Sequence, residues 1–291
     1  MTDELKLELN TDYSPSKLEG IPKIIYRNND SDLDAKEFME NQFSLWGIED
    51  YQRYSNKYHE HTYFDWKNMV LDDEIMRTPD EIAYSLNLID SIVEWYDSES
   101  SETCIFTDDC LDLSIVNSWM FDWKFLEHHL PYNWDCIQLY TSSTRSIKMH
   151  LHPWVLTNKS QRCFMISRTF AKRLKHLHFL NKKYKIAYKS PNKSILFTDY
   201  GSLDTFFFDI GVTYTLPIFG LKNSPNLNVR ERVGSDAIKY WWHYKSNKFS
   251  NFEFFHYNKG DDEWKMEVLF DTQGDRPEVY MDDIEGIMIW I

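Results

Sequence analysis

Thr103-Cys104-Ile105-Phe106-Thr107-Asp108-Asp109-Cys110 is the stretch on which the reading of this chain turns. A short apolar run stops abruptly at two adjacent acids, the pattern of a buried strand that delivers carboxylates at its carboxyl end. In open α/β sheets ligands settle just beyond the carboxyl ends of strands, and two oxygen donors there suit a hard divalent cation. Asp is also a common turn residue. Because Asp-Asp pairs recur at 72–73, 261–262 and 282–283, the pair alone reads more readily as a solvated turn, and its surroundings have to decide.

Upstream, Thr78-Pro79-Asp80-Glu81 has a capping residue, a proline at the first helical position and the acid of a capping box. Ile82, Leu86, Ile89, Val93 and Tyr96 follow at the spacing of one helical face. Earlier still, the run from Lys23 to Tyr26 reads as a strand broken by the turn formers Arg27-Asn28-Asn29-Asp30. Ala35, Phe38, Met39, Phe43 and Trp46 then predict a helix stopped at Gly47, and Tyr51 to Ser55 a weaker strand. Downstream, the pattern predicts a helical segment from about Ser114 to His129 and strands at Trp134 to Tyr140 and Arg162 to Ile166. A helix is expected from Arg168 to His178. Strands and helices alternating in this way predict an α/β fold around a largely parallel sheet. Residues 1–20 read as a loosely held polar lead-in, 21–221 as the main domain, and 222–291, rich in aromatic clusters, as a mixed α/β extension packed on it.

The chain has 291 residues, with 32 Lys and Arg against 46 Asp and Glu, a formal charge of −14. Such a balance disfavours a protein that wraps bare duplex nucleic acid, which needs a dominant cationic face. Hydrophobic residues at 42% and aromatics at 16% supply a sizeable core. No stretch approaches about 18 uninterrupted apolar residues, and the first residues lack a signal-peptide layout, so no stable membrane span and a cytoplasmic location are expected. Cys104, Cys110, Cys136 and Cys163 form no CxxC pair and read as buried free thiols. With 9 Gly and neither GxGxxG nor GxxxxGK[ST], a nucleotide would be held without a glycine-rich loop.

The segment from 79 to 204 resembles the lipopolysaccharide and collagen glycosyltransferases of glycosyltransferase family 25. Four successive pieces carry the resemblance: the helix opening Glu81-Ile82-Ala83-Tyr84-Ser85-Leu86, the strand Ile105-Phe106-Thr107-Asp108-Asp109, the strand Trp134-Asp135-Cys136-Ile137-Gln138-Leu139, and the strand and helix from Cys163 to Leu174. Leu203-Asp204 and the run from Val212 to Pro217 look like the family's late acid and following strand, and Ile24-Ile25-Tyr26-Arg27-Asn28 matches its opening strand loosely. The resemblance implies a GT-A-like single-sheet fold with helices on both faces. It also implies a nucleotide-diphosphate sugar donor, a uridine diphosphate sugar in characterised relatives, and transfer to a glycan or other hydroxyl acceptor with inversion. It places Tyr26, Arg27, Asn28, Ser85, Asp108 and Asp109 at the donor and Mn²⁺ or Mg²⁺ on Asp108 and Asp109. Asp204 falls on the position of the base that takes the acceptor's proton. The sequence departs from the family where Thr107 stands for the first acid of a triplet and where no Ser-His pair follows Glu81.

His150 and His152 share one face of an extended segment, so His152 is a candidate further ligand to the cation. Trp119, Trp123, Trp134 and Trp154 offer rings for sugar stacking, although aromatics at such intervals usually belong to the core. From 168 to 193 there are nine Lys and Arg and no acid, a local reversal of charge that offers an anionic acceptor, nucleic acid or a membrane headgroup a contact surface. The alternative to an enzyme is a non-catalytic carbohydrate-binding or virion-type interaction protein, suggested by the aromatic C-terminal third and the incomplete acidic triplet.

Overall fold

The computed structural model describes residues 14–58, 68–71, 78–143, 146–186, 207–224, 227–245 and 278–280. In chain order the strands and helices are β1 (Ile24–Asn28), α1 (Leu33–Leu45), β2 (Tyr51–Ser55), α2 (Pro79–Ser98), β3 (Thr103–Asp108), β4 (Leu111–Asp112), α3 (Trp123–His128), β5 (Cys136–Gln138), β6 (Ser146–Lys148), β7 (His152–Pro153), β8 (Cys163–Ser167), α4 (Arg168–His178), β9 (Phe179–Leu180), β10 (Lys183–Tyr184), β11 (Thr213–Thr215), β12 (Gly220–Leu221), α5 (Val229–Tyr240) and β13 (Glu278–Tyr280). Seven strands make one sheet in the order β2-β1-β3-β8-β5-β11-β7. The β1–β2, β1–β3 and β5–β11 pairs are parallel, and β8 runs antiparallel between β3 and β5. Edge strand β7 is antiparallel to β11. The molecule is therefore a mixed α/β protein built on a mostly parallel central sheet.

Strand alternation assigns each residue of β1 and β3 to a face. Ile24, Tyr26 and Ile105 join a core with Met39 and Phe43 of α1, whereas Ile25, Cys104 and Phe106 join a second core with Leu86, Ile89 and Val93 of α2 and Phe170 and Leu174 of α4. Helices thus cover both faces, which is why the central strands read as continuous apolar runs. All four cysteines are buried and free.

α2 starts where the sequence places it. The Thr78 side chain accepts from the Glu81 amide at 3.3 Å and the Glu81 carboxylate accepts from the Thr78 amide at 2.9 Å. Thr78→Ala is expected to cost about 1 kcal/mol, read as a lower urea midpoint. α1 ends at Gly47, whose φ of +64° is the left-handed conformation that glycine adopts without a Cβ penalty.

Several elements differ from expectation. β1 continues through Arg27 and Asn28 instead of breaking at them, because both side chains find partners on neighbouring strands. The segment expected as one helix to His129 is a 3-10 turn at Ser114–Ser118 followed by the short α3. The lead-in is anchored from Pro15 onward: Pro15–Leu18 forms a 3-10 turn, Leu18 is buried, and the Lys17 ammonium donates to the carbonyls of Asn117 and Trp119 at 2.7 and 2.5 Å. That ammonium satisfies carbonyls which a helix end leaves open. Within residues 222–291, α5 is a helix the aromatic pattern did not predict. Asn228 and Glu231 form its capping box, and Ala237, Ile238, Trp241 and Trp242 pack into the first core. A hairpin of β9 and β10 follows α4, with Asn181 and Lys182 both left-handed at its tip (φ 53° and 61°).

Candidate functional site at the carboxyl rim of β1 and β3

β1 and β3 end side by side, with Arg27 in register with Asp108. β3 ends at Asp108 and Asp109 begins the turn beyond it, so the two acids part company: Asp108 meets Arg27 and Tyr84 of α2, and the Asp109 carboxylate meets Asn28. The sequence pair Arg27-Asn28 is matched, residue for residue, to Asp108-Asp109.

On the α2 face Asp108 is 5% exposed. Its Oδ1 accepts from Arg27 Nη2 at 2.5 Å and its Oδ2 from Arg162 Nη1 at 2.7 Å. The Tyr84 hydroxyl, on the first turns of α2, lies 3.4 Å from the same Oδ2 and accepts from Arg27 Nη2 at 3.0 Å. Arg162 continues to Glu231 of α5 through two bonds of 2.9 and 3.2 Å. Glu231 also caps its own helix, and its carbonyl accepts from the Tyr140 hydroxyl at 2.6 Å. A buried chain of charges therefore ties β1, β3, α2 and α5 together. Burial works most strongly against both guanidiniums, but the Asp108 carboxylate and Tyr84 together, joined at Arg162 by Glu231, outweigh it and hold Arg27 and Arg162 above their ordinary range. Nε and Nη1 of Arg27 are buried and meet no hydrogen-bond partner among the described residues.

At the other acid, Asn28 Nδ2 donates to Asp109 Oδ2 at 3.0 Å. The amide is oriented from behind: Arg53 of β2 donates to Asn28 Oδ1 through Nε and Nη2 at 3.1 and 2.8 Å, so the NH₂ end faces the acid. Burial first, and the Asp108 charge second, push the Asp109 carboxyl up to about 6, against the opposing Asn28 hydrogen bond. Asp109 is only partly buried. Among the described residues it makes no ion pair with a guanidinium, although the nearby Arg162 charge also opposes the rise.

Of the residues expected at the donor, Arg27, Asn28, Asp108 and Asp109 come together. Tyr26 does not: it lies in the α1 core, its ring against Phe43 and its hydroxyl donating to Glu40. The buried Ser85 hydroxyl donates to the Glu81 carbonyl at 2.7 Å inside its own helix, and Tyr84, one position earlier, is the side chain that reaches Asp108. His152 is on β7, four strands from β3, a separation of about 19 Å at sheet spacing. Its Nδ1 lies 2.7 Å from the His150 carbonyl and its Nε2 2.9 Å from Asn158 Nδ2. It cannot share a cation with Asp109. Asp204 lies outside the described residues. Trp119 and Trp123 are buried core residues, and Trp134 and Trp154 pack partly buried against the two cores.

Arg162, Tyr84 and Glu231 are the members that the sequence reading missed. Glu231 had a signal in the Asn228-x-x-Glu231 capping pattern, and Arg162 stood at the head of a recognised strand. Neither position reveals its long-range partner. Among the described residues no group of three or more His, Cys, Asp or Glu is arranged to hold a metal. With both oxygens of Asp108 engaged by guanidiniums, the open carboxylate is that of Asp109, a donor set that fits only a cation completed by substrate oxygens.

No family model matches the chain, and no curated protein matches it. Among solved structures, the crystal structure of A197 from STIV is similar at 12% identity and a TM-score of 0.37, over 69% of this chain and 84% of that one.

Proposed function

We propose that the chain is a glycosyltransferase of GT-A type, taking a sugar from a nucleotide-diphosphate donor, a uridine diphosphate sugar by preference, to a glycan or other hydroxyl acceptor. One observation carries the reading: Arg27, Asn28, Asp108, Asp109, Tyr84 and Arg162 converge where two adjacent parallel strands end, the place where open α/β sheets receive ligands. Two further features support it. The antiparallel β8 lies next to β3, between strands β2, β1, β3 on one side and β5, β11 on the other that share one direction, and the buried donors of Arg27 that lack acceptors among the described residues call for a water or ligand oxygen.

In this reading Asp108 does not grip an ion. It positions Arg27 and Arg162, whose charge tempers the negative diphosphate, and Arg162 is the more exposed of the two, at 19% against 2% of the side chain. Asp109 and the donor's own oxygens would hold Mn²⁺ or Mg²⁺, which supplies charge neutralisation on the leaving group. Asp204 is proposed as the base that accepts the acceptor's proton during inversion.

Thermal denaturation with a uridine diphosphate sugar and Mn²⁺ tests the proposal. At a hundredfold excess over Kd the midpoint is expected to rise by about 5 °C, and Asp109→Ala should abolish the rise. Stabilisation by free glycans alone would favour the carbohydrate-binding alternative, whose support in the structure is the capture of Asp108 by two arginines. No stabilisation by any nucleotide sugar would overturn the donor site.

A further inference from the structure

The basic run is not spread around a solvated helix; the fold sorts it. α4 presents Thr169, Lys172, Arg173, His176 and Leu177 outward and buries Phe170, Ala171 and Leu174. Acids from neighbouring elements then neutralise part of the charge: Asp135 pairs with Arg173 and Asp97 with Lys175, each at 2.5 Å. Arg168 donates to the carbonyls of Glu99 and Tyr96. Lys172, Lys182 and Lys183 are exposed and make no ion pair among the described residues. Leu177 and Leu180 stand among them, each 41% exposed. The β9–β10 hairpin carries Leu180, Lys182 and Lys183, and its left-handed Lys182 keeps a charged side chain where glycine would be the unstrained choice.

The hairpin's position adds to this. Tyr184 of β10 bonds the Tyr58 hydroxyl at 2.7 Å and the Asp90 carboxylate of α2 at 2.7 Å. Tyr58 follows the carboxyl end of β2, so the hairpin stands beside the chain leaving the same rim that carries Arg27 and Asp109.

We infer that the outer face of α4 and the β9–β10 hairpin dock on the surface of an anionic phospholipid bilayer. Lys172, Lys182 and Lys183, exposed and without an ion pair among the described residues, are attracted to lipid phosphates. Two exposed leucines between them enter the headgroup boundary, where the lysine stems can follow and keep their ammonium groups in water. Lysine meets nucleic-acid phosphates as well as lipid ones; the exposed leucines favour the lipid surface, since single strands add stacking on aromatic rings. The inference is independent of the transferase reading.

Co-sedimentation of the full chain with vesicles of phosphatidylcholine containing phosphatidylglycerol, against pure phosphatidylcholine, tests it. Binding is expected only to the anionic vesicles and should weaken with salt. Lys182→Gln/Lys183→Gln should lower partitioning by roughly 30-fold. Leu177→Ser/Leu180→Ser should lower it while leaving the salt dependence in place. A thermal midpoint equal to that of the unaltered chain shows that each variant is folded. Equal partitioning into both vesicle types, or partitioning indifferent to the lysine pair, would overturn the inference. So would salt-sensitive binding of an RNA oligonucleotide through these lysines without vesicle binding.

Discussion

Asp109→Asn is expected to make the protein more stable and less active at once. The Asp109 carboxyl titrates at about 6 in the folded chain against an ordinary 3.8. Below about pH 4 it is protonated in both folded and unfolded chains and contributes nothing. As pH rises from there the unfolded chain loses its proton first, so stability falls, and above pH 6 the full cost of a partly buried charge is present. The neutral amide removes that cost and can still accept from Asn28. Partial exposure moderates the gain, which should be about 2 kcal/mol at pH 8 and vanish toward pH 4. Urea titrations at pH 8, 6 and 4 measure it. A variant no more stable at pH 8 than the unaltered chain, or equally stabilised at pH 4, contradicts the electrostatic account of this residue. In parallel, hydrolysis or transfer from a nucleotide sugar should be lost. Stability stored against function at one carboxylate is what a ligand-binding acid, as opposed to a turn residue, displays.

Asp108→Ala is expected to produce the opposite result, a loss of about 3–5 kcal/mol, because it strands Arg27 in the interior without its counter-charge. Arg162 keeps Glu231 and loses less. Asp108→Asn should fall between, since the amide can accept from one guanidinium but carries no charge. A double-mutant cycle sharpens the point: Arg27→Met/Asp108→Leu should cost less than the sum of the two single changes by about 2 kcal/mol or more. Additive costs would show that the two side chains do not act as a pair, and with that the role of Asp108 as the residue that positions the arginines would fall. The contrast between the neighbours is the stronger test of the site. One acid of the Asp-Asp pair holds the fold together and the other weakens it.

The central strands β1, β3, β5 and β8 were legible because burial on both faces writes them as short apolar runs, which the edge strands β2 and β7 lack, and α2 because its capping box and stripe are local signals. The acids of β3 were legible as a site candidate for the same reason. Their division of labour was not. Adjacent carboxylates look equivalent in a sequence, and the expectation that both grip one ion follows from their contiguity. Asp108 closes β3 whereas Asp109 begins the turn after it, and the register of β1 against β3 supplies each with a different partner. His152 shows the complementary failure: the spacing of His150 and His152 correctly puts the rings near one another, 5.3 Å between centroids, but gives no hint that the strand His152 opens enters the sheet at its far edge.

By itself, then, the order of residues marked the central strands, the helices α1, α2 and α4, and the stretch that ends in acids at a sheet rim, since those depend on side-chain periodicity and on caps within a few positions; it did not mark the break between Ser118 and Trp123 or the helix α5. Only the tertiary structure decided that Asp108 belongs to Arg27 and Arg162, that α5 from the C-terminal region reaches the rim through Glu231, and that, of lysines close in sequence, Lys175 pairs with Asp97 while Lys172 and Lys182 find no ion-pair partner among the described residues. Those outcomes depend on which strands lie side by side and in what register, a matter of long-range packing that no local pattern records.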